Sequence, residues 1–232
     1  MDYLKWLYCL LRVVYFRLRI KNKLRRRQFG LSLPRYSLIE RAKQISMLHQ
    51  EILALLHFFV GSSRGMVLEI GSYIGGSTVI LASAAKQFGK GPIIAIEAGG
   101  QSNHPDIPSQ DILADLKKNL ENFGVSDFVR LLNGFSNQQE IYQTVKGIVG
   151  SKEIDLLFID ADGNVARDFE VYGPLLKNGA VLVLDDYSSP LAPEKAVLVK
   201  QWADQAVSEG RVKSLGVWGW GTWIGLYVKP LY

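Results

Sequence analysis

Val67-Leu68-Glu69-Ile70-Gly71-Ser72-Tyr73-Ile74-Gly75-Gly76-Ser77-Thr78 is the stretch that decides the fold. An apolar, β-prone run from Met66 to Ile70 feeds a glycine-rich turn, which opens into the helical pattern of Ser77 to Lys86. Such a junction gathers free backbone N–H groups and a helix start at one point, where a ligand can be approached closely by backbone. The residues in the turn narrow the choice of ligand. A dinucleotide fingerprint needs a second glycine two positions after the first, and that position is Tyr73. A phosphate-cradling loop needs lysine before its final Ser or Thr. Gly71 and Gly76 have that spacing, but Ser77 stands where the lysine belongs. Glu69, two residues before Gly71, would repel phosphate and could hold a cationic ligand.

Working outward, the next strand-like run, Pro92 to Glu97, ends in a second acid. Glu97 lies about where an acid reads ribose hydroxyls in doubly wound folds. An acid-flanked glycine turn without a phosphate lysine, followed by a ribose-reading acid, points to S-adenosylmethionine, a nucleoside carrying a sulfonium. Glycine turns after strands also serve packing alone. It is the pairing of the two features that favours a ligand.

The rest of the chain alternates. The 232 residues suffice for one domain with an added segment. Ser37 and Glu40 form a capping-box pattern that predicts one helix from Leu38 to Val60. Strands are expected at 93–98, 128–132, 154–159 and 180–184, with helices at 111–123, 138–148, 168–176 and 193–207. A pair of strands, 212–218 and 222–228, closes the chain around Gly219-Trp220-Gly221. Residues 99–110 are rich in Gly, Ser, Asn and Pro and read as a long binding loop. The near-continuous apolar run Ile154 to Ile159 marks a strand buried on both faces. The expected fold is therefore α/β: a Rossmann-like, doubly wound, mostly parallel seven-stranded sheet with helices on both faces and a closing β-hairpin. Trp218, Trp220 and Trp223 would either pack that hairpin or wall an acceptor.

Charge is unevenly spread. Residues 1–30 carry nine Lys or Arg against Asp2, a net of +8, whereas the remaining residues sum to −3. A basic leader (1–30) therefore precedes a mildly acidic domain (31–232). The acidic body argues against a nucleic-acid-binding catalytic face. Cys9 is the only cysteine, which excludes an internal disulfide and fits a reducing, cytoplasmic compartment. From Met1 to Ile20 the leader reads as an aromatic-rich basic amphipathic helix in which Lys5, Arg12 and Arg19 recur every seven residues. Arg12 at its centre would cost about 2.5–3.5 kcal/mol in a membrane span. Two readings stay open. The helix, with Arg25-Arg26-Arg27, lies on the inner, anionic face of a membrane, or it packs on the domain or on a second subunit of a homodimer.

Ligands of open α/β sheets sit outside the carboxyl ends of the strands. Asp160, Asp162, Asp185 and Asp186 all fall there. Converging carboxylates repel unless a cation separates them, and an oxygen-only set suits Mg²⁺. No His or Cys accompanies them, which disfavours zinc. The alternative is that these aspartates only cap turns.

The segments 67–78, 158–162, 168–180 and 183–187 together resemble class I S-adenosylmethionine-dependent methyltransferases, closest to the catechol, caffeoyl-CoA and macrolide-sugar O-methyltransferase branch. The resemblance implies an enzyme that methylates a hydroxyl of a small molecule or of a glycan or lipid-linked sugar. It assigns Glu69, Gly71, Tyr73 and Gly75 to the methionine end of the cofactor, Ser72 to the same cofactor-binding turn, Ser77 to the helix start beside it, Glu97 to the ribose, and Gly134, Phe135 and Ser136 to the adenine. Asp160, Asp185 and Asp186 match a magnesium triad. Asp160 and Asp162 are the catalytic candidates, with Asp162 the metal ligand in one variant. Relatives often carry a basic residue just after the Asp-x-Asp unit, where this chain has Gly163. Either aspartate, His104 from the long loop, or the metal alone would then account for removal of the proton. A non-catalytic cofactor-binding scaffold is the alternative this departure suggests. No Pro-Pro-Tyr or Pro-Pro-Phe amine-methylating signature is present.

Overall fold

The computed structural model describes residues 3–21, 34–190 and 192–229. Among the described residues seven strands form one sheet: β1 (Met66–Ile70), β2 (Ile93–Glu97), β3 (Val129–Asn133), β4 (Ile154–Ile159), β5 (Leu176–Leu184), β6 (Val212–Trp218) and β7 (Thr222–Tyr227). Their spatial order is β3-β2-β1-β4-β5-β7-β6. The first five run parallel, while β7 is antiparallel to both β5 and β6. The order reverses at β1, so the crevice of this doubly wound sheet opens beside the Gly71 turn.

Side-chain alternation splits the core in two. Val67, Ala95, Leu156, Phe158, Val181 and Val183 face one layer, built from α1 (Tyr3–Lys21), α2 (Tyr36–Lys43), α3 (Gln50–Ser62), α4 (Gly76–Gln87) and α5 (Ile112–Asn122). Leu68, Ile94, Leu157, Ile159, Leu182 and Leu184 face the other, built from α6 (Gln139–Val149), α7 (Val165–Tyr172) and α8 (Pro193–Ser208). Both faces of β1, β2 and β4 are thus covered, which is why those segments are apolar almost without interruption.

Two local expectations differ from the structure. The 38–60 helix is broken into α2 and α3, because residues 45 and 46 press against the start of α4. A Cβ on Gly76 would lie 2.4 Å from Ser46 Cβ and 2.5 Å from the Ile45 carbonyl oxygen. Lys43 Nζ donates to the Ser46 and Leu48 carbonyls, and His49 Nδ1 accepts the Glu51 N–H to begin α3. The expected capping box does not form; Arg35 precedes α2 without a side-chain cap, and Tyr36 donates to Glu40 instead. The helix expected at 168–176 starts earlier, capped by Asn164, and β5 extends back to Leu176.

The leader helix packs on the domain. Val13 and Phe16 are buried, and the Phe16 ring meets Phe59 at 5.4 Å and Trp218 at 4.9 Å. Arg12 Nε donates to Glu51 Oε1 at 2.7 Å, with its guanidinium 4.8 Å above the Trp218 ring. Trp218 and Trp223 are buried in the core, whereas Trp220 is exposed at the hairpin turn. Arg25 to Arg27, and the boundary near residue 30, lie outside the described residues.

Candidate active site

The site is built by extending the sheet's hydrogen-bond ladder one residue past each strand. Gly71 N–H donates to the Ile96 carbonyl, Gly134 N–H to Glu97, Asp160 N–H to Ile70 and Asp185 N–H to Ile159. Four residues singled out from the sequence are thereby fixed at one edge. Between β1 and α4, Gly71 turns at φ +86°, and a Cβ there would lie 2.0 Å from the Asp160 carbonyl oxygen. Only glycine lets β1 and β4 approach this closely. Gly75, also left-handed at φ +96°, leads into α4 without a side-chain cap.

Glu97, nearly buried, organises this turn. Its Oε2 accepts the N–H groups of Ser72 at 2.9 Å and Tyr73 at 2.6 Å, and Oε1 accepts Gly99 N–H at 2.9 Å. Glu69 is fully buried beneath the turn. Its Oε2 accepts from Thr78 at 2.7 Å and Ser72 at 3.2 Å, while Oε1 has no hydrogen-bond partner. Burial pushes its carboxyl from 4.5 up to about 7, against the pull of the Ser77, Thr78 and Ser72 hydroxyls. Tyr73 holds φ +49°, a conformation that costs a non-glycine residue about 1–2 kcal/mol. Its hydroxyl donates to the Ile107 carbonyl and pins the 99–110 loop, which is closed on itself by reciprocal Ser102–Ser109 backbone bonds of 2.8 and 2.9 Å.

A cavity of about 330 Å³ opens at this edge, in the range of small-molecule sites. Gly71, Tyr73, Glu97, Gly134, Phe135, Ser136, Asp160 and Asp162 line it. Glu69, Ser72, Gly75 and Ser77 lie behind or beside the turn rather than in the lining. Phe135, a large ring at the cavity wall, is 63% exposed among the described residues. Ser136 is buried, donating to Asp168 Oδ1 at 2.5 Å, and its carbonyl accepts from Tyr172 at 2.7 Å.

Asp160, Asp185 and Asp186 converge beside the cavity, each offering a carboxylate oxygen within 4.8 Å of the others. Burial, then Asp185 and Asp186, drive the Asp160 carboxyl well above its ordinary range, against the pull of Lys195. Burial raises Asp185 to about 6 despite a hydrogen bond from the Thr222 hydroxyl, and Asp186 adds to the rise. Asp186 itself is left-handed at φ +59°. Strained backbone thus occurs on both sides of the cavity, at Tyr73 and at Asp186. Three oxygen donors whose charges repel are a chemically suitable seat for a hard divalent cation.

A family model described as a methyltransferase domain matches residues 68–187, just over half of the chain and the part that carries the glycine turn, Glu97 and the three clustered aspartates. The chain belongs to the methyltransferase-domain family. No curated protein matches it. Among solved structures, this methyltransferase is similar to an O-methyltransferase from Bacillus cereus in complex with S-adenosylhomocysteine (20% identity, TM-score 0.60, covering 91% of this chain and 96% of that one). It is similar to the O-methyltransferase TomG from Streptomyces achromogenes, involved in tomaymycin synthesis and solved with S-adenosylmethionine (20%, 0.64, 99% and 100%). The S-adenosylhomocysteine-bound methyltransferase PaMTH1 from Podospora anserina is a third (16%, 0.61, 86% and 90%). At these identities the likeness is one of fold, over almost the whole chain.

Two cations of the cavity carry no signal in the sequence. Arg167 on α7 lines the cavity and grips Asp162 with both arms, Nη1 to Oδ2 at 2.7 Å and Nη2 to Oδ1 at 3.1 Å. The same guanidinium reaches buried Asp168, 3.0 Å from Oδ1. Burial raises the Asp162 carboxyl, but Arg167 and the Asn164 N–H outweigh it and hold the group below its ordinary range. Lys195 on α8 lines the cavity, 3.6 Å from Asp186 Oδ2. Its Cα lies 3.0 Å from where a Cβ on Gly163 would stand, so the missing side chain of Gly163 makes room for it. No local sequence pattern signals either residue, since both arrive from helices that the chain order alone does not place. His104 lies outside the lining; its Nδ1 accepts the N–H groups of Asp106 and Ile107 in its own loop.

Proposed function

We propose that this methyltransferase transfers a methyl group from S-adenosylmethionine to a hydroxyl of a small molecule or of a glycan or lipid-linked sugar, with Mg²⁺ held by Asp160, Asp185 and Asp186. The observation that carries this reading is the pairing, across one cavity, of a backbone-lined turn with a cluster of three carboxylates that Lys195 only partly offsets. The fold neighbours solved with S-adenosylmethionine or its demethylated product support the cofactor. When bound, the cofactor supplies a sulfonium methyl open to attack by oxygen, and Mg²⁺ supplies the positive charge that eases deprotonation of a hydroxyl.

The chain's own residues do the positioning. Gly71 and Tyr73 bring backbone to the methionine end, Glu97 faces the ribose, and Gly134, Phe135 and Ser136 form the adenine wall. Asp160 receives the acceptor's proton, because both oxygens of Asp162 are already bound by Arg167. Tyr73 ties down the 99–110 loop, which contributes Ser102 to the cavity wall. Catalysis is then mainly orientation, the term that contributes most when a bimolecular step is made unimolecular.

Transfer of radiolabelled methyl to a panel of vicinal diols, phenols and sugar hydroxyls, with and without Mg²⁺, tests this. The expected result is label in at least one acceptor class, lost with chelator. Binding of the cofactor without transfer to any acceptor would overturn the enzymatic assignment to hydroxyls.

A further inference from the structure

We propose that the outward face of α1 is a membrane-docking surface that seats the protein on an anionic lipid leaflet. The inference deepens the mention of lipid-linked acceptors, yet it stands on its own observations. One face of α1 is already used: Val13 and Phe16 are buried against Phe59 and Trp218, and Arg12 is clamped by Glu51. On the opposite side Leu4, Leu7, Tyr8, Leu11 and Tyr15 recur at i, i+3, i+4, i+7 and i+11, the spacing of one continuous helical stripe. Leu4 is 76% and Leu11 60% exposed. A helix that is apolar on both sides, with one side docked, leaves the other unpartnered.

Charge selects the occupant. The first 30 residues carry a net +8, nine Lys and Arg against one Asp, on a body of net −3. A polybasic segment beside exposed leucines and tyrosines matches the interface of an anionic bilayer, where apolar side chains enter the acyl boundary and cations stay at the headgroups. A second copy fits poorly, because an isologous contact would set one +8 leader against another. Among the described residues no helix is long and apolar enough to cross a membrane, so α1 lies on the surface.

The docked geometry also fixes the seat relative to the site. Glu51 holds Arg12 with Oε1 and the Gly219 N–H with Oε2 at 3.1 Å, joining α1 to the β6–β7 turn. Three residues past Gly219, Thr222 donates to Asp185 of the acid cluster. Glu51 thereby ties α1 to the turn that borders the acid cluster, and an acceptor held in the bilayer would meet an enzyme with one orientation.

The test is flotation of the full chain with phosphatidylcholine vesicles, alone or containing phosphatidylglycerol. Wild type is expected to float with anionic vesicles only, and to be released by salt. Leu4→Glu/Leu11→Glu, two changes on the exposed stripe, should weaken that partition about tenfold or more with thermal melting and S-adenosylhomocysteine affinity unchanged. Arg25→Gln/Arg26→Gln/Arg27→Gln gives a second variant, which lowers the leader's charge and leaves Val13 and Phe16 unchanged, with the same expectation. Failure of wild type to bind anionic vesicles, or variants that bind as wild type does, overturns the proposal. So does light scattering that shows a dimer dispersed by the Glu substitutions without vesicle binding, which would assign the face to a second copy. Cofactor affinity is read separately, so a failed methyl-transfer reading would not mimic either result.

Discussion

Two groups of acids share one edge of the sheet and are treated in opposite ways. On the β1–β2 side, Glu97 accepts three backbone N–H groups and Glu69 accepts two hydroxyls. These carboxylates build the turn. On the β4–β5 side, Asp160, Asp185 and Asp186 face one another, with Lys195 the one cation that relieves them among the described residues. In the proposed reading these carboxylates are the seat of Mg²⁺. Glu97, satisfied by its own chain, shapes the cavity wall, whereas aspartates that repel one another suit a cation.

The most damaging way to break the comparison is to separate the two sides. Gly71→Ala would set a methyl against the Asp160 carbonyl at a backbone angle hostile to alanine. We expect loss of stability by several kcal/mol in chemical denaturation, together with loss of cofactor binding. Asp185→Asn/Asp186→Asn removes the demand for a cation alone. Methyl transfer should fall about 10³-fold while S-adenosylhomocysteine affinity in calorimetry holds, since neither residue lies in the turn.

The satisfied side gives a pH signature. Folded, Glu69 keeps its proton to about pH 7; the ordinary value is 4.5. The folded state thus binds more protons between those values, and stability declines as pH rises through that window. Glu69→Gln should remove this decline and leave the protein up to about 3 kcal/mol more stable above pH 7, read from urea midpoints across pH. Glu97→Gln is gentler. Its amide cannot accept from Ser72, Tyr73 and Gly99 together, so cofactor affinity should drop about 10- to 100-fold with transfer from bound cofactor less affected.

Much of this edge was legible because a parallel sheet converts sequence order into spatial order. Apolar runs marked β4 and the second half of β5, and each stopped at an aspartate of the acid cluster. Glu97 and Asp160 then had to lie at the same edge. What escaped came from elements whose placement depends on packing. Arg167 and Lys195 reach the cavity from α7 and α8, and nothing near them in the chain points there. The break between α2 and α3 was hidden because apolar spacing continues through residues 44–49 while the backbone yields to Gly76. The leader's two apolar sides looked like one helix to be placed; only packing shows which side Phe59 and Trp218 take.

Titration of the full chain with S-adenosylhomocysteine, first without Mg²⁺ and then with it, probes the division most directly. Saturable one-to-one binding should occur without metal, be weakened by Glu97→Gln and be indifferent to Asp185→Asn/Asp186→Asn. An absence of binding by folded wild type, or binding that required the aspartates, would contradict the assignment of the two sides.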